Sequence, residues 1–124
     1  MKNEFKILKR EEVSEKNQQV FDKIKGVFGA VPNLYSTLAY SENALEAYFN
    51  LETSKTSLTT KDAEAVNLVV SEVNHCMYCL SAHTMIAKQS GFTEEQTIEV
   101  RRGSATFDPR LDTLVKLTKQ LSET

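Results

Sequence analysis

The segment Glu64-Ala65-Val66-Asn67-Leu68-Val69-Val70-Ser71-Glu72-Val73-Asn74-His75-Cys76-Met77-Tyr78-Cys79-Leu80-Ser81-Ala82-His83 decides how the rest of the chain is read. Ala63, Val66, Val70 and Val73 recur at helical spacing, and Leu68 and Val69 widen the apolar face, so residues 61–74 predict a largely buried helix. Thr59 or Thr60 can cap it, with Asp62 and Glu64 in its first turns. A second helix is expected from Cys76 to Ser90, ending at Gly91, a residue suited to the left-handed backbone that follows a helix. Strict two-residue alternation is absent, and no strand is required.

The same punctuation continues on both sides. Upstream, residues 11–25 place Val13, Val20, Phe21 and Ile24 near one face, closed by Gly26, Gly29 and Pro32. Short helices are expected over 34–40 and 43–54. Downstream, Thr93 and Gln96 have the spacing of a capping box for a helix that stops at Gly103, and Asp108-Pro109 opens a last one bearing Leu111, Leu114, Val115, Leu117 and Leu121. The fold class is all-α, a compact multi-helix domain expected to span residues 1–124 as one unit. At 124 residues, with 40% hydrophobic residues and only six Gly plus Pro, the chain can bury a core without disulfide staples.

Charge and hydropathy exclude several functions. Fifteen basic against seventeen acidic residues leave a net charge of −2, with the signs mixed along the chain. That balance argues against nucleic-acid binding and against an anionic membrane surface, both of which need clustered positive charge. The most apolar run, Val66 to Val70, is far shorter than a membrane span and is interrupted by Asn67. The start, Met1 to Lys6, does not lead into a secretory signal, so a cytoplasmic protein is expected.

Two cysteines three positions apart are a poor scaffold for a secreted fold, and their pattern points to chemistry. With Cys76 at a helix N-terminus, Cys76, Cys79 and His83 fall at i, i+3 and i+7 on one stripe. The positive end of the helix dipole favours a thiolate, and His83 can accept a thiol proton. The second sulfur can resolve an oxidised first one, so oxidation stops at a disulfide. Zinc competes for the same ligands, although a structural site needs a fourth, and His75 would have to bend back to supply it. Each cysteine can also be read as a small buried hydrophobe. His75 reads as a surface or helix-entry residue, Tyr78 as a packing residue, and Glu64 as an ordinary first-turn carboxylate.

Glu64, eleven intervening residues, Cys76-Met77-Tyr78-Cys79, three more residues and His83 together resemble the signature of the AhpD-like alkylhydroperoxidases in the carboxymuconolactone decarboxylase superfamily. Leu58-Thr59-Thr60-Lys61 and Val31-Pro32-Asn33-Leu34 are similar to that family's flanking segments, and the likeness runs from about Val27 to Ala105. The resemblance implies an all-α fold with the Glu64 helix packed on the cysteine helix, and homo-oligomers, commonly trimers or hexamers. It implies a thiol peroxidase needing no metal or organic cofactor, with a hydroperoxide substrate and a dithiol reductant of lipoyl type. By position, Cys79 is the peroxidatic thiol, Cys76 the resolving thiol, and Glu64 with His83 the proton relay. Met77 stands where some members carry a second histidine between the cysteines. The decarboxylases that name the superfamily typically lack the cysteine pair.

Physical reasoning about the two sulfurs divides. The dipole favours Cys76, at about 0.3–1 kcal/mol, whereas a general base is worth about 10² to 10⁴ in rate and His83 is one turn from Cys79. The base outweighs the dipole, leaving Cys76, expected to be the more exposed sulfur, to meet the reductant. A disulfide oxidoreductase without peroxide turnover, a noncatalytic zinc-binding or assembly module, and a decarboxylase are the competing readings. An uncovered apolar surface on Leu34 to Leu51, with Tyr35, Leu38, Tyr40, Tyr48 and Phe49, is a further expectation and would favour an oligomer.

Overall fold

The computed structural model describes residues 5–124. Among them are seven α-helices and no strand: α1 (Glu15–Phe28), α2 (Asn33–Leu38), α3 (Ala44–Thr53), α4 (Thr60–Val73), α5 (Met77–Gln89), α6 (Glu94–Arg101) and α7 (Pro109–Ser122), with a 3₁₀ turn at Arg10–Glu12 before α1. The chain divides into two compact units, residues 1–55 and 56–124. None of the helices is long and apolar enough to cross a membrane.

In the first unit, Val20, Phe21 and Ile24 of α1 form a core with Val13, Tyr35, Ala39, Leu45 and Phe49. The α1 boundaries differ from those expected at 11–25. Ser14 caps the helix by accepting the Asn17 amide at 3.2 Å, so residues 10–12 form a separate turn. Gly26 lies inside α1, and Gly29 is the residue that ends it, with φ 78°. The aromatic surface expected to be left over is mostly absorbed within this unit. Tyr35 and Phe49 are buried, Leu38 and Tyr48 pack against them, and only Tyr40 of that set is exposed.

The second unit is built around α4, against which α5, α6 and α7 all pack. Its core joins Ala65, Leu68 and Val69 of α4 to Ala87, Phe92, Val100, Ala105, Leu111 and Val115. No residue from 61 to 73 is exposed, as expected of a largely buried helix, but the centre of its buried face is displaced. Ala65, Leu68 and Val69 are fully buried, while Ala63, Val66, Val70 and Val73 are only half-buried. Three neighbouring helices widen the covered arc beyond a single stripe, and the larger Leu68 takes its centre.

The caps follow the sequence closely. Thr93 and Gln96 exchange capping hydrogen bonds at the start of α6, and Asp108 accepts the Arg110 and Leu111 amides at the start of α7, where Pro109 occupies the first position. At α4, Thr59 accepts the Asp62 amide at 3.1 Å while the Asp62 carboxylate accepts the Thr59 amide at 2.9 Å. The buried Asp62 carboxylate is also gripped by both terminal nitrogens of Arg110, at 2.8 and 3.1 Å, which ties α7 to the start of α4. The Arg110 guanidinium first, then the Thr59 amide, holds the Asp62 carboxyl well below its ordinary value of 3.8.

Because folding lowers the pKa of this carboxyl, the stabilisation is complete above pH 3.8 and is lost as the pH falls further. Unfolding followed from pH 7 to pH 2 should therefore show an acid-labile component that Asp62→Asn removes. Thr59→Ala, which deletes the cap itself, should cost about 1 kcal/mol at neutral pH. An unchanged acid profile in Asp62→Asn would assign the acid sensitivity to other groups.

Candidate active site

Helix α4 ends in a tight connection. The Cys76 amide donates to the Ser71 carbonyl at 3.0 Å and the His75 amide to the Glu72 carbonyl at 3.1 Å, a six-to-one and five-to-two pair that closes a Schellman turn. His75 occupies the left-handed position of this turn with φ 53°, the only such non-glycine residue among those described. It is exposed. The same turn at the end of α5 uses Gly91, as expected from the sequence, and there the Phe92 amide reaches the Ala87 carbonyl.

The turn delivers Cys76 to the N-cap of α5, in extended backbone with φ −85° and ψ 93°. Helix α5 thus begins one residue later than expected. Cys79 and His83 lie one turn apart on α5, whereas Cys76 sits outside the helix at its N-cap. The Cys76 and Cys79 sulfurs form a disulfide, with Cα atoms 5.3 Å apart. The Cys79 amide donates to the Cys76 sulfur at 3.3 Å, so that sulfur caps the helix as a serine oxygen would elsewhere. Both cysteines are half-buried. Met77 and Tyr78 between them are 72% and 64% exposed, which corrects the reading of Tyr78 as a packing residue. The first turn of α5 leaves the buried side to Leu80.

Across the helix pair, Glu64 of α4 meets His83 of α5. The imidazole Nδ1 lies 2.8 Å from the Glu64 Oε2, and the Glu64 side chain is one-tenth exposed against about one-quarter for His83. An ionised carboxylate can only accept at that distance, so Nδ1 is the nitrogen that carries a proton in this contact, and a neutral ring so bonded has its lone pair on Nε2. The other Glu64 oxygen, Oε1, accepts from the Asn67 side-chain amide at 3.3 Å. No group of three or more His, Cys, Asp or Glu side chains among the described residues has the geometry to hold a metal ion.

All four expected residues, Glu64, Cys76, Cys79 and His83, therefore fall in the second unit, on α4, on α5 and at its cap. Two contributors lay outside the sequence reading. A left-handed histidine carries no residue-type signal, since glycine is the usual mark of that position. Asn67 was legible only as a polar residue interrupting an apolar run.

An all-helical chain with a Cys-x-x-Cys pair at the start of a helix fits the AhpD-like class. The chain belongs to the carboxymuconolactone decarboxylase family, whose model matches residues 40–120. The match takes in the whole Glu64 to His83 segment but begins beyond Val31-Pro32-Asn33-Leu34 and continues past Ala105. No curated protein matches the chain.

The left-handed backbone at position 75 can be tested directly. An L-residue there costs about 1–2 kcal/mol relative to the right-handed helix, most of which glycine avoids. His75→Gly should leave stability unchanged or raise it by about 1 kcal/mol, and the β-branched His75→Val should lower it by about as much. Equal denaturation midpoints for the two variants would show that the turn relaxes to another backbone.

Proposed function

We propose that this chain is a small dithiol peroxidase in which Cys79 reacts with a hydroperoxide and Cys76 resolves the product. The observation that carries the reading is the Cys76–Cys79 bridge at the start of a helix whose His83, one turn on, is bonded to the buried Glu64. Family membership supports enzymatic function, since decarboxylases and peroxidases both occur in the family, and the cysteine pair favours the second activity.

In the reduced enzyme, His83 takes the Cys79 proton and Glu64 holds the ring in place. The thiolate attacks the distal oxygen of the hydroperoxide, the O–O bond breaks, and the departing alkoxide takes a proton to leave as an alcohol. Cys79 is now a sulfenic acid. Cys76 attacks its sulfur, the S–O bond breaks, and water leaves as the disulfide forms. An external dithiol, of lipoyl type in this reading, attacks the disulfide and restores both thiols. The proposed setting is the cytoplasm, where thiols are kept reduced. The proposed working form is a homo-oligomer, trimer or hexamer, consistent with exposed Leu34, Tyr40 and Leu51 in the first unit.

Thiol titration with mass spectrometry tests the cycle. Reduced wild-type protein should lose two thiols per peroxide and gain the Cys76–Cys79 bridge. Cys76→Ser should stop at a sulfenic acid on Cys79, and Cys79→Ser should not react. Glu64→Gln should fold normally and react about 10²-fold more slowly. A reduced protein that exchanges with dithiols yet ignores peroxide would be a disulfide oxidoreductase instead. Sulfenic acid trapped on Cys76 would reverse the two roles.

A further inference from the structure

Asn67 stands in the most apolar run of the chain, between Val66 and Leu68, at an interior position of α4. An asparagine there is a poorer helix former than alanine by a substantial fraction of a kcal/mol, because its side chain competes for backbone hydrogen bonds. Its side chain makes no such backbone bond. The amide Nδ2 instead donates to Glu64 Oε1, one turn back on the same face, at 3.3 Å. Its backbone carbonyl, like that of any residue at this place, accepts the hydroxyl of the buried Ser71 at 2.6 Å. The Ser71 carbonyl in turn receives the Cys76 amide. Glu64, Asn67 and Ser71 thus form a polar stripe along α4 that starts at the His83 partner and ends at the backbone of the N-cap cysteine.

A carboxylate has two oxygens and a terminal torsion that is broad and roughly two-fold. A single bond to His83 would leave the carboxylate free to turn about that torsion. With Oε1 held by Asn67, the plane of the carboxylate is fixed and Oε2 stays directed at His83 Nδ1–H. We propose that Asn67 is a positioning residue, which holds the plane of the Glu64 carboxylate and thereby strengthens its grip on the Nδ1–H form of His83. The inference rests on the peroxidase reading only for its rate consequence, since the tautomer is a property of the resting protein.

Two substitutions separate donation from shape. Asn67→Asp keeps the outline and replaces the donor with an acceptor, while Asn67→Leu keeps the approximate volume and removes polarity. The imidazole nitrogen shifts of His83, read by ¹⁵N NMR at pH 8, should report the Nδ1–H form in the wild type and a mixture of both tautomers in each variant. The reaction of the reduced thiols with peroxide should slow about tenfold in both, the scale typical for loss of a group that orients a functional side chain. Retention of the Nδ1–H form in both variants overturns the assignment, and so does a change confined to one of them, since Asp alone would indicate charge repulsion and Leu alone a packing defect. A wild type inert to peroxide removes the peroxidase reading and leaves the tautomer comparison intact.

Discussion

The hydrogen bond from the Cys76 amide to the Ser71 carbonyl is the constraint from which the candidate site follows. It ends α4 within three residues of the start of α5, so the two helices form a short-linked hairpin. Glu64 lies about two and a half turns before the end of α4, and His83 less than two turns into α5. They can meet at 2.8 Å only because the second helix folds back along the first. A longer or looser connection would leave the direction of α5 undetermined and the carboxylate and imidazole without a reason to approach. That closure is achieved with a histidine in a backbone conformation most side chains avoid, so local strain is spent beside the two sulfurs.

Much of this was legible in the sequence because the relevant signals are local. Thr93 with Gln96, Asp108 with Pro109, and Gly91 each carry their structural role in residue type and spacing, and each is found where that spacing puts it. The Cys-x-x-Cys with His83 at helical distance needed no tertiary information either. What escaped depends on contacts between distant segments. The buried face of α4 is centred on Ala65, Leu68 and Val69 because three other helices press on it, and periodicity within α4 contains nothing about their placement. The pairing of Glu64 with His83 was likewise visible only through resemblance, since the local context of Glu64 is that of any carboxylate early in a helix. Ser14 as the cap of α1 was overlooked because the apolar spacing begins at Val13, two residues ahead of the helix proper.

Both ends of α4 are held by polar devices of different strength. At its start, the buried Asp62 is satisfied by a cap and a two-pronged guanidinium, an arrangement that resists protonation. Between these ends the polar stripe runs along the helix beside an apolar core. A helix serving as the hub of its unit can thus carry ionisable groups on one edge, because packing fixes its position and those side chains need only fix their own torsions.

The bridge between Cys76 and Cys79 closes a ring of only four residues. In the chain-entropy view, such a short closure removes about 2 kcal/mol worth of freedom from the unfolded chain, against about 4.7 kcal/mol for a loop of a hundred residues. The fold therefore depends little on whether the bridge is present, and each unit has its own core to rely on. A covalent link of that kind is poorly suited to stapling and well suited to being opened and closed repeatedly, since neither event threatens the scaffold that holds it.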